Sequence, residues 1–222
     1  MSGGTRFVEL NHELADGMAP YPGLPAPRIG AHVDHAASRD RYDGGDEFFL
    51  GKVEMPGNVG TYVDSPFHRF ADREDLAQVP LERLAGLPGF VVDVATGDTR
   101  AAAADLPDAD LTGAAILLRT GWDRRWGSDA YWEPGPYVGE DLAARLVERG
   151  AGVVGVDFWN VDDTETRRRP VHTRLLDAGV LVVEHLCNLD RLPPNGFRFF
   201  APVLRIRGGA SFPVRAFAEV AP

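Results

Sequence analysis

Asn58-Val59-Gly60-Thr61-Tyr62-Val63-Asp64-Ser65-Pro66-Phe67-His68 gathers an amide, a hydroxyl, a phenol, a carboxylate and an imidazole into one short stretch. In extended backbone alternate side chains share a face. Asn58, Gly60, Tyr62 and Asp64 then point one way and Val59, Thr61 and Val63 the other. Two of the latter three are apolar. The stretch reads either as a strand with its apolar side in the core and its polar side in a pocket, or as an edge strand whose solvated polar face runs into a turn. Gly60 sits where the backbone passes close to another group, and Pro66 stiffens the exit toward His68.

Toward the amino terminus, residues 5–10 alternate as a first strand. Residues 19–27 hold prolines at 20, 22, 25 and 27, which fix φ and remove donors, so this is an ordered arm or loop and not a helix. Residues 28–35 read as a strand carrying His32 and His35. Their spacing puts them on opposite faces, which argues against a shared metal. Residues 38–46, rich in Asp, Arg and Gly, read as a mobile loop, and 48–53 lead into the central stretch.

Past His68, Leu76, Val79, Leu81 and Leu84 around Pro80 predict a short helix or two turns. Four apolar runs, at 90–94, 114–122, 152–157 and 180–184, read as buried strands. Helical spacing covers 141–149, closed at Gly150, and a second helix begins at His172 and stops at Gly179. This alternation predicts an α/β fold in one domain spanning 1–222, with no internal repeat or linker. Glu184 ends the run Val180-Leu181-Val182-Val183. An unpartnered buried carboxylate is costly, so Glu184 is either an exposed strand end or a pocket residue with partners.

Acidic residues outnumber basic ones by 33 to 23, giving a net charge of −10, and this excludes the basic footprint that nucleic acid requires. The run Arg167-Arg168-Arg169 is too short for a phosphate track and suits a solvated loop or a carboxylate anchor. The single cysteine, Cys187, rules out an intrachain disulfide and a multi-Cys zinc site, and its apolar neighbours suit packing better than nucleophilic attack. No apolar run approaches the roughly 18 residues of a membrane span. The expectation is a cytoplasmic protein that acts on a small molecule, with neither nucleic acid nor membrane as partner.

The central stretch resembles the signature of the cyclase family, which contains bacterial kynurenine formamidase (arylformamidase) and isatin hydrolase: His-x-Gly-Thr-His-x-Asp-x-Pro-x-His. Gly60, Thr61, Asp64, Pro66 and His68 match, while Asn58 and Tyr62 stand where the family has His. Tyr21-Pro22-Gly23, Leu117-Leu118-Arg119-Thr120-Gly121-Trp122 and Pro213-Val214-Arg215-Ala216 resemble further family motifs, so the likeness covers nearly the whole chain. It implies a swivelling β/β/α domain of mixed sheets with flanking helices, forming a homodimer. It also implies that His68 handles protons during attack on an amide carbonyl, and that His172 and Glu184 complete a metal site or hold its water. Tyr21 would line the substrate pocket, with Asn58 and Thr61 beside it.

In the family the two replaced His and the Asp bind a divalent metal. An Asn oxygen is a weak ligand and a neutral phenol a poorer one, so the usual zinc site is not expected. Two arrangements remain. In one, Asp64, His172 and Glu184, with the Asn58 oxygen, form an altered site for a cation such as manganese, magnesium or zinc. In the other the pocket is metal-free, His68 is the base, and Asn58 and Tyr62 donate to an oxyanion. Three functions follow. The first is hydrolysis of a C–N or C–O bond in a small cyclic or aromatic amide, ester or lactone. The second is metal-independent cyclisation or elimination in secondary metabolism by His68 and Tyr62. The third, disfavoured by the retention of His68 with two carboxylates, is non-catalytic binding.

Overall fold

Strands made of unbroken Val, Ile and Leu are stable only where both faces are covered. The computed structural model, which describes residues 4–94, 100–101 and 106–221, builds its centre from such strands. In chain order the strands are β1 (Arg6–Glu9), β2 (Arg28–Val33), β3 (Leu50–Glu54), β4 (Tyr62–Asp64), β5 (Ala85–Asp93), β6 (Arg100–Ala101), β7 (Ala115–Arg119), β8 (Tyr137–Val138), β9 (Val153–Val156), β10 (Leu181–Glu184), β11 (Phe197–Phe200), β12 (Ser211–Pro213) and β13 (Phe217–Val220). The α-helices are α1 (His35–Ser38), α2 (Glu140–Glu148) and α3 (Pro170–Asp177).

Nine strands form one mixed sheet in the order β1-β13-β11-β5-β7-β9-β10-β4-β12. Its middle, β5-β7-β9-β10, is parallel, and the outer pairings are antiparallel. Side chains alternate cleanly across it. Ala115, Leu117, Leu181 and Val183 face one core with Val8, Leu10, Val63 and Phe199. Ile116, Leu118, Val154, Val156 and Val182 face the other, under α2 and α3. Both helices present short apolar stripes to that face: Leu142, Ala143 and Leu146 from α2, and Val171, His172, Leu175 and Leu176 from α3. His172 therefore lies on the sheet-facing side of its helix. The strand–helix alternation and mixed sheet agree with the α/β class expected from the sequence.

Several local expectations change. The strand over 28–35 ends at Val33, because Asp34 accepts from the Ala37 amide and caps α1. His32 is then on a strand and His35 on a helix, both exposed. Residues 39–41 and 43–45 form single 3-10 turns where a loop was expected. The helix expected from His172 begins at Pro170, since proline at the first helical position loses no needed donor. Of the motif Pro213-Val214-Arg215-Ala216, only Pro213 belongs to a strand. Pro213 ends β12, and the next residues tie other segments together through Val214 N to Thr61 O (3.0 Å) and Leu10 N to Ala216 O (2.9 Å). Among the described residues no helix is long and apolar enough to cross a membrane.

Gly57 lies against β12. A Cβ there would stand 2.1 Å from the Ser211 carbonyl oxygen, a backbone atom that cannot rotate away. Gly57→Ala is expected to destabilise the fold by about 1–3 kcal/mol, which for a chain of this size lowers the melting temperature by several degrees. Calorimetry checks this. An unchanged melting temperature would show that β12 is not seated as described.

Candidate active site

The site is a product of strand register. β4 runs antiparallel between β10 and β12, placing Tyr62 opposite Glu184 and Asp64 opposite both Val182 and Ser211. Cross-strand neighbours on one face come within side-chain reach. Tyr62 Oη accordingly donates to Glu184 Oε2 at 2.5 Å, and Ser211 Oγ donates to Asp64 Oδ1. Glu184 Oε1 accepts from the Val161 amide at 2.7 Å. The alternation expected over 58–64 holds only for Tyr62–Asp64. Residues 57–61 bend, with Gly60 at φ +66°, and the bend carries Asn58 back to the pocket wall. Asn58 Nδ2 lies 3.5 Å from Asp64 Oδ1, a weak contact.

His172 enters from α3. Its Nδ1 is 2.6 Å from Asp162 Oδ2, while Asp162 Oδ1 accepts from the Val171 amide at 2.8 Å. One carboxylate thus holds the helix start and orients the ring. His172 Nε2 is then aimed between Asp64 Oδ2 and Glu184 Oε1, at 3.5 Å from each. Asp64 Oδ2 is buried with no hydrogen-bond partner. His68 follows Pro66 in a 3-10 turn at the mouth, its side chain 31% exposed and its Nδ1 3.2 Å from Ser211 Oγ.

Asn58, Tyr62, His68, His172 and Glu184 share a cavity of about 260 Å³ with Tyr21 and Leu24, and with Arg69, Asn160 and Arg169. Asp64 lies beneath it. Tyr21 packs 5.4 Å, ring to ring, from Trp159, so this aromatic lines the cavity and is also supported from behind. Thr61 is not on this wall. Its Oγ1 donates to the His185 carbonyl at 2.5 Å and accepts from the His12 amide at 3.0 Å, joining the end of β10 to the amino-terminal segment. A broader open groove of about 880 Å³ runs past Glu9, Thr61 and Phe212, and none of Asp64, His68, His172 or Glu184 lines it.

Burial dominates the electrostatics. It pushes the Glu184 carboxyl up to about 7, with the nearby Asp64 charge adding to the rise and His172 opposing it. Burial and the two carboxylates hold the Tyr62 phenol well above its usual value, so it stays neutral. Burial works against a charged His172, but its contacts with Asp162 and Asp64 win and raise it to about 10. His12 and His185 go the other way, to about 4 and about 3, because burial disfavours their charge. His12 stacks on Trp126 at 4.0 Å, and His185 Nδ1 meets Tyr131 Oη at 2.7 Å.

This donor set fits one divalent cation. Asp64, His68 and His172 offer ligand atoms within 4.8 Å of one another. Asp64 Oδ2 lacks a partner, and the Asp162 contact fixes His172 in the manner usual for a metal-bound imidazole. Tyr62 does not fit, since its proton is engaged by Glu184. Ser211, Asp162 and Asn160 went unforeseen. Ser211 lies 147 residues from its partner Asp64, a pairing visible only through register. Asp162 lies eight residues before Pro170 and is not the helix's N-cap, so its hold on the Val171 and His172 amides is visible only in the fold.

Residues 8–163 match the family described as "Putative cyclase". The chain is 26% identical over 218 residues to a kynurenine formamidase of Salinibacter ruber, covering 97% of this chain and 98% of that one. Its fold superposes on isatin hydrolase A from Labrenzia aggregata bound to benzyl benzoate with a TM-score of 0.83, at 22% identity over 100% of this chain and 96% of that one. It also superposes on a potential metal-dependent hydrolase with cyclase activity, with a TM-score of 0.79, at 21% identity over 99% of this chain and 100% of that one.

His12 and His185 have depressed values, so the unfolded chain binds their protons first as the pH drops. Their stabilising contribution is present above about 6.5 and is lost as the pH falls toward about 4. His12→Gln is expected to flatten the fall in stability between pH 6.5 and 4 by up to about 1.4 kcal/mol per pH unit, the effect of one proton. Urea titrations across that range check it. An unaltered slope would contradict a neutral, stacked His12.

Proposed function

The chain belongs to the cyclase family, and from that membership we propose that it is a hydrolase cleaving the C–N bond of a small cyclic or aromatic amide. The observation that carries the reading is the imidazole of His68 at the pocket mouth, coupled through Ser211 to buried Asp64, with His172 and Glu184 alongside. The formamidase relative supports the amide as substrate.

Hydrogen-bond accounting gives His68 its role. Ser211 has one hydroxyl proton and donates it to Asp64, so toward His68 it can only accept. His68 Nδ1 therefore carries the proton, and Nε2 is left as the basic nitrogen. In hydrolysis, water adds to the amide carbon, its proton passes to His68, and His68 returns it to the departing nitrogen as the C–N bond breaks. Asn58 Nδ2, which lies near Tyr62 and makes only a long 3.5 Å contact with Asp64, can donate to the developing oxyanion. Tyr62 cannot, because its hydroxyl is bonded to Glu184. Of the group Asp64, His68 and His172, the two buried members would hold a divalent cation, which would polarise the carbonyl oxygen and acidify a bound water, while the exposed His68 stays free as the base.

A second reading rests on the contacts of His172, whose Nδ1 is 2.6 Å from Asp162 and whose Nε2 is 3.5 Å from both Asp64 and Glu184. As an imidazolium among Asp162, Asp64 and Glu184 it would neutralise the cluster itself, leaving the chemistry to His68 and Asn58. Ester or lactone opening, cyclisation and elimination belong with this metal-free version. The arm formed by β2 and β3 exposes Phe49, Leu50 and Val53, and a two-stranded sheet alone is marginal. That supports covering by a second copy of the chain, which sedimentation would test.

Formanilide and small cyclic amides are the substrates to try first. At least one should be hydrolysed, with His68→Asn lowering turnover about 100-fold or more. A His68→Asn enzyme with undiminished turnover would overturn the assignment. Activity abolished by chelator and restored by manganese or zinc supports the cation-assisted reading, and activity indifferent to chelator supports the second.

A further inference from the structure

We infer that the side-chain amide of Asn160 is a fixed hydrogen-bond donor to the acyl oxygen of the substrate. That the oxygen belongs to an amide rests on the hydrolase reading above, and the presence of the donor does not.

The residues between β9 and α3 are pinned one after another. The Phe158 carbonyl accepts from the His185 amide at 3.2 Å, and Trp159 Nε1 donates to the Glu133 carbonyl at 3.1 Å. The Val161 amide donates to Glu184 Oε1 at 2.7 Å, and the Val161 carbonyl accepts from the Val138 amide at 2.8 Å. Asp162 holds His172 Nδ1 at 2.6 Å. Asn160 stands inside this run, only 7% exposed, and closes a side-chain turn in which its Oδ1 accepts from the Asp162 amide at 2.9 Å. That bond decides which way the side chain faces. A backbone N–H needs an acceptor, so the oxygen lies toward Asp162 and Nδ2 is the other end.

Among the described residues no group accepts a hydrogen bond from Asn160 Nδ2, and the enclosed side-chain atoms without a partner are Asn11 Oδ1, His12 Nε2 and Asp64 Oδ2. Asn160 Nδ2, unpartnered but not enclosed, therefore opens on the cavity that the residue lines with His68, His172 and Glu184. The other neutral donors on this wall differ. Tyr62 gives its proton to Glu184, and Asn58 has only its 3.5 Å contact. Asn160 is held still, and the next two residues bind Glu184 and His172, so a ligand that reaches its amide lies beside both.

An N–H pair can serve only an acceptor. As water adds to the amide carbon, the carbonyl π pair moves onto the acyl oxygen. It returns when the C–N bond breaks, with His68 carrying the proton from water to the departing nitrogen. A donor already in place stabilises the charge on that oxygen without having to reorganise.

Acetanilide against N-ethylaniline, which differ by a carbonyl in place of a methylene, tests the donor by binding at a pH where both are neutral. Formanilide tests it by turnover. Titration calorimetry on the wild-type protein should favour acetanilide by about three- to tenfold, the effect of one hydrogen bond. Asn160→Ser keeps an oxygen for the Asp162 amide and loses Nδ2. It should bring the ratio toward one, leave N-ethylaniline affinity unchanged and lower kcat for formanilide about 100-fold. Asn160→Asp, nearly the same shape without the donors, should lose the preference as well. Equal affinity for the two ligands in the wild type would overturn the inference. So would a Ser variant that keeps the wild-type ratio, or one that loses both ligands alike, since Asn160 would then serve only its turn. If formanilide is not hydrolysed while acetanilide keeps an advantage that Asn160→Ser abolishes, the donor stands and the hydrolase reading fails.

Discussion

Two carboxylates, Asp64 and Glu184, are buried to about 1% exposure and face the same imidazole, His172. Removing two like charges from water into one enclosed space is among the least favourable things a fold can do. Each oxygen must find a donor, and the surroundings follow from that requirement. Tyr62 and the Val161 amide supply Glu184, while Ser211 supplies one oxygen of Asp64. His172, fixed by Asp162, is directed at what is left over. Asp64 Oδ2 still lacks a full hydrogen bond, and it is the point where the protein's own groups stop.

Much of the fold holds that arrangement in place. Three strands from distant parts of the chain meet in β10-β4-β12, and their register alone decides that Tyr62 meets Glu184 and that Ser211 meets Asp64. Thr61 locks the edge of this unit to the amino-terminal segment and to the residues after β10. Gly57 lets β12 approach so closely that no side chain could be accommodated. On the far side of the sheet's centre, Asp157 accepts the amides of Thr120 and Gly121, giving the Arg119-Thr120-Gly121-Trp122 turn a structural purpose away from the pocket. Tyr62 has a local purpose at this position. A phenol that cannot serve as a cation ligand becomes the donor that Glu184 needs.

The strongly patterned parts of the chain were readable without coordinates. The apolar runs of β5, β7, β9 and β10 and the glycine-closed α2 follow from periodicity and turn chemistry, and the resemblance gathered His68, Asp64, His172 and Glu184 into one site. What periodicity missed depended on distance along the chain or on local competition. Ser211 carries no signal until β12 is laid beside β4. Thr61 belongs to the motif's sequence but not to the pocket wall, because in the bend over residues 57–61 its hydroxyl is bonded to the His185 carbonyl. His35 left its expected strand because Asp34 capped a helix turn instead.

The central claim is that the unpartnered Asp64 Oδ2 and the oriented His172 Nε2 mark a cation position, while Tyr62 serves Glu184 and not a cation. Anomalous diffraction from crystals soaked in manganese tests it most directly. The account predicts one anomalous peak bonded to Asp64 Oδ2 and His172 Nε2, with Tyr62 Oη still on Glu184 and outside the coordination sphere. A peak ligated by Tyr62, or two peaks, would contradict it. No peak at full soaking, with His172 left bridging the two carboxylates, would show that the imidazole itself fills the place of the cation.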